Sequence, residues 1–121
     1  MWSIWVLGDI SSTAEDVARW DVALATSALL DPKWWHNMVS TRFAVDEPSD
    51  IPALSVEGYA LAWFTANLLG HRVAVHTGDN SGFGSLNLVV WDLPIRVVVL
   101  SNEQCTDVME VAVELLEPLL G

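Results

Sequence analysis

Gly84-Ser85-Leu86-Asn87-Leu88-Val89-Val90-Trp91-Asp92-Leu93-Pro94-Ile95-Arg96-Val97-Val98-Val99-Leu100-Ser101 holds two apolar runs with a single tight break between them. Val97-Val98-Val99-Leu100 is apolar without alternation, as in a strand covered on both faces. Leu93-Pro94 interrupts the ladder where proline lacks its N–H, so residues 84–92 and 95–101 are predicted to form an antiparallel hairpin. Upstream, from Gly58 onward, residues 57–66 and 71–77 also read as strands.

Helical patterns bracket these strands. Ser12-Thr13-Ala14-Glu15 reads as a capping box, with Ser12 accepting from the third helical N–H and Glu15 reaching back. Asp16 adds negative charge to the first turn, and Glu15 and Arg19 form an i,i+4 pair. Val17, Trp20, Leu24 and Ala28 recur at spacings of three and four, which predicts a helix over 13–30 stopped by Asp31-Pro32. A short helical stretch is expected near 33–39, and Asp46, Glu47, Pro48, Asp50 and Pro52 mark residues 44–55 as a loop. Thr106 is expected to cap a last helix whose stripe is Val108, Val111, Ala112, Leu115, Leu116 and Leu119. The fold class is therefore α+β: an antiparallel sheet of three to four strands flanked by an N-terminal and a C-terminal helix. Residues 1–121 suit a single domain, with no internal repeat and no low-complexity segment.

Composition narrows the function classes. The chain is 52% apolar with a formal net charge of −11, so nucleic acid and anionic membrane surfaces are poor partners. Its five basic residues, Arg19, Lys33, Arg42, Arg72 and Arg96, form no cluster that could track phosphates. Cys105 is the single cysteine, so neither an internal disulfide nor a cysteine metal site is available, and the compartment stays open. Residues 1–10 lack a basic n-region and do not read as a signal peptide, and no apolar run reaches the length of a membrane span.

His76-Thr77-Gly78 closes a strand and leads into the polar loop Asp79-Asn80-Ser81-Gly82-Phe83-Gly84. A strand end followed by flexible turns can hold chemistry; the plainer alternative is a hairpin loop with a satisfied histidine. Ser81 forms no Gly-x-Ser-x-Gly elbow, which requires a strand-to-helix turn, and Gly82 and Gly84 open no dinucleotide-binding run. His71 and His76 lie five apart on one strand and point to opposite faces, while His36 is remote, so no metal is assigned and no cofactor is implied. Of the tryptophans, Trp20, Trp63 and Trp91 are expected in the core. Trp2, Trp5 and the pair Trp34-Trp35 are candidates for a binding surface or for contact with a missing half. The acidic residues show no spacing of a catalytic carboxylate pair.

Four blocks in order carry a family resemblance. Gly8-Asp9-Ile10-Ser11-Ser12-Thr13-Ala14-Glu15-Asp16-Val17-Ala18-Arg19-Trp20 resembles the G-x-x-S-T-x-x-D-x-A-R-W/F helix start of the class C β-lactamase family, which includes penicillin-binding carboxypeptidases, D-aminopeptidases and esterases. Gly58-Tyr59-Ala60-Leu61-Ala62-Trp63 resembles its G-Y-G-L-G-W strand, with alanines where the second and third glycines stand. His76-Thr77-Gly78 with Ser81-Gly82-Phe83 resembles its K/H-T/x-G motif and G-F-S follow-up, and Val97–Asn102 its V-V-V-L-S-N strand end.

The resemblance implies a partial β-lactamase/transpeptidase-like fold with His76-Thr77-Gly78 as the third active-site motif. His76 would replace the usual lysine, Thr77 would hydrogen-bond the substrate carboxylate, and the Asp79 backbone N–H would be one of two oxyanion-hole donors. Histidine at that position implies amide or ester hydrolysis rather than β-lactam hydrolysis. The family also needs Ser-x-x-Lys and Tyr-x-Asn. Here the only lysine, Lys33, follows Leu30 by three, and the only tyrosine, Tyr59, precedes Ala60-Leu61.

The expectation is a C-terminal fragment whose missing motifs lie upstream, inactive alone, and acting on a small-molecule or peptide substrate only in a complete protein. Strand 95–101 would then expose an apolar edge, leading to self-association or pairing with the missing N-terminal half. A non-catalytic interaction module docking through that edge is the alternative, and a small hydrolase using Ser81 and His76 lacks an orienting third group. Family members are often periplasmic or secreted; the chain itself leaves localisation undecided.

Overall fold

A computed structural model describes residue 8, residues 10–46 and residues 49–121. Trp2, Trp5, Asp9, Glu47 and Pro48 lie outside the described residues. The chain runs α1 (Ala14–Ala25), α2 (Pro32–Met38), β1 (Phe43–Ala44), β2 (Leu54–Tyr59), β3 (Phe64–Leu68), β4 (His71–Asn80), β5 (Phe83–Val90), β6 (Arg96–Ser101) and α3 (Val108–Leu120). The strands form one antiparallel six-stranded meander in sequence order, β1 to β6. The α+β class and the 84–101 hairpin hold, with more strands than the expected three to four.

The added strands have a local cause. Residues 57–66 are not one strand, because the chain reverses at Ala60–Trp63 and β2 pairs back on β3 with Tyr59 opposite Phe64. The reversal is held by the Ala60 N–H donating to the Trp63 carbonyl at 2.7 Å, with Ala62 in the left-handed region at φ 66°. β1 approaches β2 closely at Gly58, where any Cβ would collide with the Phe43 carbonyl and the Thr41 methyl. Gly58 also sits where the β2–β3 register shifts at a bulge.

Alternation along the strands divides two cores. Leu68, Val73, Val75, Leu86, Leu88 and Val90 face one side and pack with Val108, Ala112, Val113 and Leu116 of α3. Ala74 and Val89 face the other side and pack with Trp63 and with Leu24, Trp35 and Val39 around α1 and α2. Trp35 and Trp63 meet edge-on at 5.8 Å. Both α1 and α3 pack on β6, so this strand is covered on two faces yet stands at the edge of the sheet formed by the described residues.

The helix starts shift by one residue from their expected caps. Thr13, not Ser12, accepts from the Asp16 N–H at 3.1 Å, and Glu15 pairs with Arg19 at 2.7 Å. Likewise Asp107, not Thr106, accepts from the Glu110 N–H, because the Thr106 hydroxyl is engaged with Ser101 at 2.9 Å. α1 ends at Ala25 rather than near residue 30: Thr26 bonds back to the Val22 carbonyl, and Ser27 turns left-handed at φ 65°. Asp31 then starts α2, with Pro32 in the first turn.

The buried face of α1 differs from the expected stripe. Trp20 is 56% exposed, while Asp21 is fully buried beside Leu24. Asn87 Nδ2 donates to Asp21 Oδ1 at 2.8 Å, tying α1 to β5. Asp21 Oδ2, Asn87 Oδ1 and Arg96 Nε are buried without protein partners. Burial pushes the Asp21 carboxyl above its ordinary value, opposed by the Asn87 hydrogen bond and the Arg96 charge. On α3, Leu115 and Leu119 are exposed instead of lying on the sheet.

Candidate active site

β4 is longer than its neighbour on one side, and that difference makes the site. β3 ends at Phe64, opposite Val75, whereas β4 continues to Asn80 paired only with β5. The Trp91 N–H donates to the Arg72 carbonyl at 2.9 Å. Backbone groups alternate direction along a strand, so even-numbered β4 residues address β5 and odd-numbered ones address the β3 side. Beyond Val75, the backbone groups of Thr77 and Asp79 therefore point past the end of β3, where no described strand lies opposite.

His76, Thr77, Gly78 and Asp79 all fall in this half of β4. His76 Nδ1 lies 2.6 Å from the Thr77 carbonyl, and His76 Nε2 lies 3.2 Å from the Tyr59 hydroxyl. Thr77, Gly78 and Asp79 line a concavity of about 220 Å³ with Gly84 of β5 and with Gln104 and Thr106 of the segment before α3. Gln104 Oε1 accepts from the Gly82 N–H at 3.3 Å, joining the β4–β5 turn to the segment before α3. A Cβ at Gly78 would lie 2.5 Å from Ser85 Oγ of its cross-strand partner, so a larger residue there would make that hydroxyl rotate away. Gly8, the start of the first block, packs against the side chain of Asn80, the last residue of β4.

Tyr59 is the residue missed in the sequence. It fits no Tyr-x-Asn motif, yet the β2–β3 reversal carries it beside His76. Phe64 completes the aromatic group, 4.7 Å from Tyr59 and 5.7 Å from His76 between ring centroids. The signal available was the Gly-Tyr at the end of one strand and the histidine near the end of the next but one.

The other candidates lie elsewhere. His71 pairs with Asp92 at 3.2 Å, and His36 stacks on Trp91 at 5.5 Å. Trp35 is buried, whereas Trp34 is exposed under Lys33. Among the described residues, no three His, Cys, Asp or Glu side chains converge as metal ligands, and no helix is long and apolar enough to cross a membrane.

An antiparallel six-stranded sheet with a helix packed on each face is consistent with a partial β-lactamase-like fold. The Beta-lactamase family model matches residues 5–116, and the chain belongs to that family. It is 31% identical over 97 residues to the unguisins hydrolase ungD' of Aspergillus campestris (strain IBT 28561), a match covering 78% of this chain and 18% of that relative. The chain thus spans about a fifth of the length of the curated relative it matches. No solved structure matches it.

Proposed function

We propose that this chain is the C-terminal portion of a serine hydrolase that cleaves amide, ester or peptide bonds by acyl transfer, and that it is inactive by itself. The observation that carries the reading is the half of β4 beyond Val75, where among the described residues no strand lies opposite the Asp79 N–H. A donor left free at a strand edge can bind the oxyanion that develops as a carbonyl is attacked. The Thr77 hydroxyl, beside it in the concavity, contributes a second polar contact to substrate. The nucleophile is the missing part: neither Ser-x-x-Lys nor Tyr-x-Asn occurs in the sequence. His76 has both ring nitrogens engaged by Tyr59 and Thr77, so it does not activate Ser81. By its name, the fungal relative is a hydrolase of unguisins; that supports hydrolytic chemistry in the complete protein here.

Hydrolysis of nitrocefin and p-nitrophenyl acetate by the purified chain tests the proposal, with Ser81→Ala and His76→Ala as controls. The expected rate equals that of buffer. A rate abolished by either substitution would mean that the chain builds its own nucleophile.

A second reading, an interaction module docking through the sheet edge, draws support from the edge position of β6 and from exposed Trp20 and Trp34. Both readings predict association through the β6 edge. A clean monomer by size-exclusion chromatography with light scattering counts against that docking.

A further inference from the structure

We propose that a single internal water molecule is bound between α1 and the β5–β6 hairpin, held by Asp21, Asn87 and Arg96. Strand register brings these side chains together. Asn87 stands opposite Val98 and Val89 opposite Arg96, so Asn87 and Arg96 are diagonal neighbours on one face of the hairpin. That face is the one α1 covers, because Val89 packs with Leu24. Asp21 precedes Leu24 by three residues on the same helix face and is fully buried. Asn87 Nδ2 donates to its Oδ1 at 2.8 Å.

Three atoms of this cluster are buried and meet no protein partner among the described residues: Asp21 Oδ2, Asn87 Oδ1 and Arg96 Nε. The Arg96 charge acts on the Asp21 carboxyl, yet among the described residues Arg96 joins no ion pair. The two groups are near enough to interact and too far apart to touch, a gap that a bridging group closes. One donor and two acceptors decide which group fits. A cation would face the Arg96 guanidinium, and an anion would face the acceptor oxygens of Asp21 and Asn87. Water is neutral, with two protons and two lone pairs. It accepts from the Arg96 Nε–H and donates to Asp21 Oδ2 and Asn87 Oδ1, and about three such bonds are usual for an internal water. The assignment is the same for either state of the carboxyl: a protonated Oδ2 donates to the second lone pair of the water, which still donates to Asn87. Around the cluster the layer is apolar, with Leu24, Trp35, Val39, Ala74 and Val89. Rotating α1 to bury Trp20 would take Asp21 away from its partners, so the bridge fixes which helix face lies inward.

Oxygen-17 magnetic relaxation dispersion, which counts waters held for longer than the protein takes to tumble, tests the proposal. The comparison is the triple variant Asp21→Leu, Asn87→Leu, Arg96→Met, because well-packed apolar residues can replace a buried ionic cluster without loss of the fold. The wild-type chain should hold about one more long-lived water than the triple variant. Equal amplitudes from two folded proteins overturn the proposal.

A second measurement needs no variant and decides alone if the triple variant unfolds. Magnetisation transferred by NMR from the water line to the Asn87 β protons and the Arg96 δ protons should carry the sign of a long-lived water, opposite to that of surface hydration. Transfer to both groups supports the bridge. Transfer of the surface sign, or transfer that misses either group, overturns it.

Discussion

Replacing Ala62 by glycine should stabilise the protein, although it removes a side-chain atom and increases chain freedom. Ala62 is exposed and sits at φ 66°, so its Cβ makes no buried contact and crowds its own backbone. A non-glycine residue in the left-handed region costs about 1–2 kcal/mol. Glycine removes that cost but loses about 0.4–1 kcal/mol to the greater freedom of the unfolded chain. The net gain is about 0.5–1 kcal/mol, or a rise of roughly 2–5 °C in Tm for a domain of this size.

The turn cannot relax around the alanine. Its Ala60 N–H is tied to the Trp63 carbonyl, and its Leu61 N–H to the Met38 carbonyl at 3.0 Å. Ala60→Gly is the control: Ala60 is 4% exposed and not left-handed, so the same change should destabilise by about 1–2 kcal/mol. Urea unfolding followed by tryptophan fluorescence, at one protein concentration, reads both variants. Opposite signs are expected. If both substitutions destabilise equally, Ala62 is not strained and the account of the β2–β3 reversal is wrong.

Asp21→Asn tests the buried carboxylate. Because burial raises the folded-state value above the ordinary 3.8, the folded protein binds the proton more tightly. The contribution of Asp21 is thus fully present below about pH 4 and is lost as pH rises through the folded value. The asparagine variant should lack that fall while still accepting from Asn87, so its stability relative to wild type should grow from acid to neutral pH. A difference that is flat with pH would contradict the burial argument. Gly78→Ala should destabilise by about 0.5–1.5 kcal/mol, the cost of turning the Ser85 hydroxyl out of the way. Ser85→Ala should recover much of that loss in a double-mutant cycle, since the Ser85 Cβ lies at 3.9 Å. Additive losses would place the clash elsewhere. Leu88→Ala, in the fully buried centre of β5, should cost about 2–5 kcal/mol by urea unfolding, and a cost below 1 kcal/mol would argue against the tight core.

Order and type of element were legible in the chain. The 84–101 hairpin and both flanking helices follow from local chemistry: an apolar run broken by proline, hydroxyl or carboxylate caps, and periodic apolar residues. These signals depend on residues a few positions apart, so they need no knowledge of the rest of the fold. His76-Thr77-Gly78 does not close its strand as expected, because β4 runs on to Asn80, and of the expected 79–84 loop only Ser81-Gly82 lies outside the strands.

Errors arose where position along the chain did not determine neighbours. Trp20 fits an apolar stripe as well as Asp21 breaks one, yet α1 docks with Asp21 inward, because Asn87 and Arg96 arrive from β5 and β6 to compensate it. Residues 57–66 look like one strand because the turn at Ala62 uses alanine where glycine would have announced it. Tyr59 and His76, 17 positions apart, come into contact only through the β2–β3 reversal and the pairing of β3 with β4. The sequence by itself determined the α+β class, the two flanking helices and the 84–101 hairpin. Tertiary structure decided which helix face is buried, which hydroxyl meets the histidine and which backbone groups remain open. Those outcomes depend on strand lengths and register, which are set by contacts between distant residues rather than by local propensity.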